Sequence, residues 1–322
     1  MYREAEILNI VLTDYKTVFD SEDMFDVFRQ FGNVTLYEST SPDEAAERIK
    51  NADIVICNKT IISAEVMKNA CNLKYIGLFA TGYNNIDIEY TKQNNITVCN
   101  AGSYSTNAVA QHTFALILNH FSKVSEYNNF VNDGGWKRSK VFSPFEYSTH
   151  EIYGKTIGII GYGSIGKAVA KIADAFGMNI LVSTRTPQTD TKVKFVSIDE
   201  LYEKSDIVTV HCPLNEQSAL MFNSESFAKF KKGAFFINTA RGGVVDEQAL
   251  KDALENKILS AAAIDTITYE PMREDCVLYG VKNLVITPHI AWASDETRQR
   301  LLGIVIDNIS NFINGTPTNK IN

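Results

Sequence analysis

An arginine, a glutamate and a histidine stand at positions 241, 270 and 289, each just beyond a short apolar run. Arg241 sits in Asn238-Thr239-Ala240-Arg241-Gly242-Gly243, Glu270 in Thr268-Tyr269-Glu270-Pro271, and His289 in Thr287-Pro288-His289-Ile290-Ala291-Trp292. Together these types suit chemistry on a small 2-keto acid. A planar guanidinium can grip a carboxylate and a carbonyl oxygen in fixed orientation. A carbonyl oxygen that becomes an alkoxide needs a proton donor near neutral pH, which is the property of histidine. A carboxylate on the other ring nitrogen fixes the tautomer and favours the imidazolium. Taken singly, Arg241 and Glu270 read as surface ion-pair residues and His289 as a satisfied core histidine. Their common placement at strand ends is what argues for a site.

The elements that would position them alternate regularly. Strand-like runs fall at 156–160, 179–183, 206–211, 234–239, 261–265 and 284–287, with helical patterns at 164–176, 199–204, 224–229 and 247–256. Strands separated by helices predict parallel βαβ units with right-handed crossovers. In an open parallel sheet the ligand edge lies beyond the carboxyl ends of the strands.

The first of these strands feeds Gly161-Tyr162-Gly163-Ser164-Ile165-Gly166, a G-x-G-x-x-G that opens a helix. In that context Gly161 allows the tight turn, Gly163 lets a pyrophosphate approach the backbone, and Gly166 lets helix pack on strand. The helix N-terminus offers free N–H groups to the phosphates. An NAD site normally carries an acid about 20 residues on, at the end of the next strand. Here the segment reads Ser183-Thr184-Arg185-Thr186, with two hydroxyls and a cation suited to a 2′-phosphate. NADPH is therefore expected to serve at least comparably to NADH, unless Arg185 is simply a solvated loop residue.

The 322-residue length predicts two domains. About half the chain precedes the glycine turn. Short apolar runs at 7–12, 54–57, 75–79 and 96–99 read as buried parallel strands, and 42–50 as a helix capped by Ser41. The stretch 107–121 reads as a helix apolar on nearly all sides, joining the two domains. Gly134-Gly135-Trp136 reads as a turn, and 295–313 as a terminal helix. The expected fold is α/β with two doubly wound parallel-sheet domains, a dinucleotide-binding domain over 105–293 and a preceding one over 1–104 completed by 294–322. Hydrophobic residues make up 45% and charged residues 21%, a globular balance. The net charge of −7 with no basic cluster argues against nucleic acid. No apolar run approaches membrane-spanning length. Met1–Glu6 open no signal-peptide pattern, so a cytoplasmic protein is expected. Five cysteines, none at metal-finger spacing, read as reduced thiols, and no metal site is expected.

These motifs, with His211-Cys212-Pro213-Leu214 and Ala263-Ile264-Asp265, resemble the D-isomer-specific 2-hydroxyacid dehydrogenases over essentially the whole chain. The 241–270–289 spacing looks like that family's catalytic triad. Tyr104-Ser105-Thr106 and Val109-Ala110-Gln111-His112 look like its glycerate dehydrogenase (hydroxypyruvate reductase) branch. The resemblance implies a Rossmann dinucleotide domain, a flavodoxin-like substrate domain, and a homodimer with residues 124–150 as an exchanged arm. It implies backbone amides at Thr81 and Gly82 on the substrate carboxylate, with Arg241 and Trp292 as further substrate contacts. It places Val109 and Asp265 beside the nicotinamide and Pro213 near the adenosine. The candidate cofactor residues are then Val109, Gly161, Gly163, Ser164, Ile165, Gly166, Ser183, Thr184, Arg185, His211, Pro213, Thr239, Ala240, Asp265 and His289.

Two features depart from the family pattern: the missing ribose-binding acid, and Ala101-Gly102-Ser103 where many relatives carry a proline. Glu270 argues against a formate dehydrogenase-like site, which uses Gln there. The absence of sequence beyond Asn322 counts against the longer phosphoglycerate dehydrogenases. The expected reaction is reduction of hydroxypyruvate or glyoxylate to D-glycerate or glycolate. A D-lactate dehydrogenase, or a non-catalytic NAD-sensing scaffold or corepressor on the same fold, is the alternative.

Overall fold

The structure, a computed structural model, describes residues 7–186 and 188–322. The readings made on residues 1–6 lie outside the described residues. The chain divides into two compact units, one formed by the chain up to Tyr104 with Ala293–Asn322, the other by Ser105–Trp292.

The first unit holds β1 (Leu8–Leu12), β2 (Gly32–Leu36), β3 (Ile54–Cys57), β4 (Tyr75–Leu78) and β5 (Thr97–Cys99), in the order β2-β1-β3-β4-β5. Every pair is parallel. This is the flavodoxin-like order 2-1-3-4-5. β3 and β4 are buried at every position, which explains their unbroken apolar sequence. β2 alternates half-buried and exposed residues, so no apolar run marks it. The last segment of the chain returns to this sheet. Asn308 in the helix Asp295–Ile313 donates to Asn100 O at 2.9 Å, and Ile321 N donates to Val98 O at 2.9 Å.

The second unit holds β6 (Thr156–Ile160), β7 (Asn179–Ser183), β8 (Lys194–Phe195), β9 (Ile207–Val210), β10 (Ala234–Asn238), β11 (Leu259–Ile264) and β12 (Leu284–Ile286). Their order is β12-β11-β10-β9-β6-β7-β8, again all parallel. The order reverses between β6 and β9, the switch point at which doubly wound sheets bind ligands. Because every strand runs the same way, every carboxyl end meets the same edge. Two apolar layers sandwich the sheet. Ile157, Ile159, Val182 and Ile237 face the helix Thr106–Ser122, while Val208, Phe236 and Ile264 face Phe222 and Leu250.

Two local readings need correction. The helix Thr106–Ser122 is not buried all round, because Asn107, Gln111 and Ala115, four residues apart, form an exposed stripe. Residues 134–136 are not a bare turn. Gly134, at φ +75°, caps a short helix, Gly135–Arg138, which follows another, Val124–Asn132. Neither helix buries a residue, so no apolar stripe marked them.

Candidate active site

Gly161 follows β6 at φ +93°, a conformation that favours glycine. A Cβ there would lie 2.8 Å from His211 O and from Cys212 N, the backbone leaving β9. Gly166 is equally constrained, since a Cβ would lie 2.1 Å from Gly161 O. Gly163 differs: among the described residues a Cβ there would meet nothing within 4 Å. The protein itself does not need that glycine. It keeps open the space in front of the helix Ser164–Ala175, as a pyrophosphate cradle requires.

Beyond β7, Ser183 and Thr184 are half-buried and Arg185 is exposed. The acid of this connection comes later. Asp190 accepts from Tyr162 Oη at 2.7 Å and from Lys192 N at 2.9 Å. Those two bonds, Tyr162 foremost, hold its carboxyl below the usual range. Tyr162, inside the glycine turn and 4% exposed, thus ties that turn to the connection after β7. Nothing in the residue spacing marks this tie. His211 leaves β9 with its Nε2 on Thr209 Oγ1 at 2.9 Å, and burial pushes its pKa down to about 3. Pro213 is exposed, and its carbonyl accepts from Ser218 Oγ at 2.6 Å.

The Arg241 turn is built by Asn238, which is fully buried. Its Oδ1 accepts from Ala240 N at 2.9 Å and its Nδ2 donates to Arg241 O at 2.8 Å. Thr239 Oγ1 lies 3.3 Å from Thr113 Oγ1. Thr113 donates to Val109 O, so Thr239 is the donor of that pair. The Arg241 side chain is exposed and donates to Ala240 O at 2.7 Å. Gly242 lets this turn press on the next one, because a Cβ there would fall 2.0 Å from Ile267 C.

That next turn carries Glu270. Glu270 Oε1 accepts from Ile267 N at 3.2 Å, and Glu247 Oε1 accepts from Thr268 N at 2.7 Å. Glu270 Oε2 lies 2.6 Å from His289 Nδ1. With a carboxylate on Nδ1, the ring presents Nε2 as its second nitrogen, and the structure gives Nε2 no partner among the described residues. His289 itself sits at φ +55°. Its N–H donates to Asp265 O at 2.8 Å and Thr287 O at 2.9 Å. Asp265, 1% exposed, takes the next two amides on its carboxylate, Ile290 N at 2.9 Å and Ala291 N at 2.8 Å. Trp292, half-buried, follows directly.

Residues 114–291 match the D-isomer specific 2-hydroxyacid dehydrogenase, NAD binding domain. The chain belongs to the D-isomer specific 2-hydroxyacid dehydrogenase family. It is 38% identical to a hydroxypyruvate reductase of Blautia hydrogenotrophica over 90% of this chain and 92% of the relative. It is 37% identical to a glycerate dehydrogenase of Methylorubrum extorquens over 95% of this chain and 98% of the relative. Among solved structures, an acyclic imino acid reductase in complex with NADPH and D-Arg superposes with a TM-score of 0.87 at 32% identity, covering 98% of this chain and all of that one.

This dehydrogenase is therefore an NAD(P)-dependent oxidoreductase of 2-hydroxy acids. The glycine turn fits the family's cofactor, by the open space at Gly163 and the close approaches at Gly161 and Gly166. Of the expected triad, the structure brings Glu270 and His289 into contact. Arg241 shares the strand-end edge with them through its turn. Thr81 and Gly82 lie past the end of β4 in the other unit, where Thr81 donates to Gly102 O and accepts from Asn100 Nδ2 at 2.8 Å. No helix of the described residues is long and apolar enough to cross a membrane.

Proposed function

We propose that this enzyme reduces hydroxypyruvate to D-glycerate and glyoxylate to glycolate, with His289 as proton donor, Glu270 as its orienting carboxylate and Arg241 as the substrate anchor. The observation that carries the reading is the 2.6 Å contact of Glu270 Oε2 with His289 Nδ1, on a loop at the ligand edge of the sheet. The names of the relatives quoted above support the substrate class. When bound, the nicotinamide supplies the hydride. Arg241 orients the substrate's carboxylate and carbonyl, with the amides of Thr81 and Gly82 and the side chain of Trp292 as further contacts. His289 Nε2 gives its proton to the carbonyl oxygen as negative charge grows there, while Glu270 stabilises the imidazolium.

The cofactor would be held by Gly161, Gly163, Ser164, Ile165 and Gly166 at the phosphates. Ser183, Thr184 and Arg185 would meet the adenosine ribose, with His211, Pro213, Thr239, Ala240, Val109 and Asp265 lining the rest. NADPH would serve at least comparably to NADH, because the end of β7 carries no acid to repel a 2′-phosphate. The enzyme would act in the cytoplasm as a homodimer. The five unbridged cysteines support a reducing compartment. The exposed Trp136, Phe142 and Phe145 support an interface at residues 124–150.

One panel tests the catalytic reading: kcat/KM for hydroxypyruvate, glyoxylate and pyruvate with each cofactor. Hydroxypyruvate should lead. A clear preference for pyruvate would make this a lactate dehydrogenase, and no turnover of any keto acid would leave a non-catalytic scaffold. Light scattering at micromolar concentration checks the dimer, and a monomeric mass would remove it.

A further inference from the structure

The structure assigns to His112, a residue outside the expected triad, the role of positioning His289 through Thr287 and Asp265. The inference rests on the reading of His289 as proton donor. His289 adopts φ +55°, a backbone region that is uncommon for residues other than glycine and persists only where the surroundings impose it. Here Asp265 imposes it. Its carbonyl takes the amide of residue 289 and its carboxylate takes those of 290 and 291. Three consecutive N–H groups thus converge on one residue, and the direction in which His289 leaves the loop depends on where that carboxylate sits.

A carboxylate 1% exposed is costly unless its oxygens are satisfied and held. Thr287 Oγ1 donates to Asp265 Oδ1 at 2.5 Å. A threonine hydroxyl has one proton, and this bond uses it. Toward His112 Nε2, 3.1 Å away, Thr287 Oγ1 can therefore only accept. It follows that His112 carries its proton on Nε2. The order of donation is fixed: His112 to Thr287, Thr287 to Asp265. His112 Nε2 also lies 3.7 Å from Asp265 Oδ1, so the N–H dipole faces the buried charge itself. His112 comes from the helix Thr106–Ser122, 175 residues before Thr287, and that helix packs against the sheet. The chain of bonds thus references the proton donor to a rigid element rather than to its own loop.

The test compares paired substitutions, each scored per active site titrated by NADPH fluorescence. His112→Phe keeps an aromatic ring and removes the donor, while His112→Gln keeps an N–H at similar reach. Thr287→Val and Thr287→Ser do the same for the hydroxyl. His112→Phe should lower kcat for keto-acid reduction about tenfold, with cofactor affinity kept, since small misplacement of a reacting group costs up to about 10² in rate. His112→Gln should recover most of the loss. Combining His112→Phe with Thr287→Val should cost no more than Thr287→Val alone, because both cut one chain. An unchanged kcat in His112→Phe while His289→Ala is inactive would overturn the assignment, as would Gln failing to rescue or full additivity. An active His289→Ala would instead remove the reading of the donor. Where His112→Phe does not fold, the near-isosteric Thr287→Val decides in its place.

Discussion

The Arg241 turn and the His289 turn leave neighbouring parts of one parallel sheet, yet they are held in opposite ways. At 241 the backbone is fixed, by both ends of the Asn238 amide, while among the described residues the guanidinium reaches only the carbonyl of its own neighbour. At 289 both are fixed, the backbone by Asp265 and the ring by Glu270. On the proposed reading the difference separates two tasks. A proton donor must be aimed before the substrate arrives, because its usefulness depends on angle and distance at one atom. A substrate anchor can complete its geometry with the substrate, since the carboxylate itself supplies the missing partner.

The largest effect is expected at the prearranged end. His289→Ala should lose ~10²–10⁴ of kcat while still binding cofactor, the usual worth of general acid catalysis. Stopped-flow reduction with tight-binding controls measures this, and a near-normal kcat would end the distinction between the two turns. Arg241→Lys comes next. It keeps the charge but loses the planar fork, so KM should rise and kcat fall together, with kcat/KM down by about one to two powers of ten. Unchanged kinetics would make Arg241 structural.

Glu270→Gln sharpens the comparison more gently. The amide oxygen can still accept from Nδ1, so aim is kept and charge is lost. On the proposed reading the ring donates a proton during reduction, and the Glu270 carboxylate is its counter-ion. Without the charge the ring loses its counter-ion while keeping its aim, so kcat should fall, though by less than in His289→Ala. An unchanged kcat in Glu270→Gln would disconnect the pair. The smallest effect is expected away from both turns. Thr184→Asp restores an acid at the end of β7 and should swing the ratio of kcat/KM values towards NADH by about tenfold, one charged hydrogen bond's worth. A parent enzyme that already prefers NADH a hundredfold would show that the adenosine end is read elsewhere.

Much of this was legible in the sequence, and the reasons differ by element. β6, β7 and the helix Asp295–Ile313 fall at their expected bounds because their burial matches their apolar pattern. The strands before His211, Thr239 and Thr287 stop one residue earlier than the apolar runs imply. His211 and Thr287 still donate backbone bonds to Ile160 O and Ile264 O, so they look like strand while turning their side chains to local partners. β2 and β8 carry no sequence signature because edge strands need no continuous apolar face, and β8 spans only two residues. The Glu270–His289 contact followed from residue types at strand ends. The ties of His112 to Thr287 and of Tyr162 to Asp190 did not, for each joins distant segments through ordinary polar side chains that carry no periodic signal.

Gly242 contributes no side-chain atom to the reaction, yet its Cα hydrogen faces the backbone of Ile267 where even a methyl group has no room. The arginine turn and the glutamate turn are therefore one mechanical body, and neither can drift without dragging the other. In a scan of all substitutions, position 242 should score like a member of the catalytic set, with alanine already intolerable. Anyone redesigning the pocket should treat it as a fixed hinge pin and leave it as glycine.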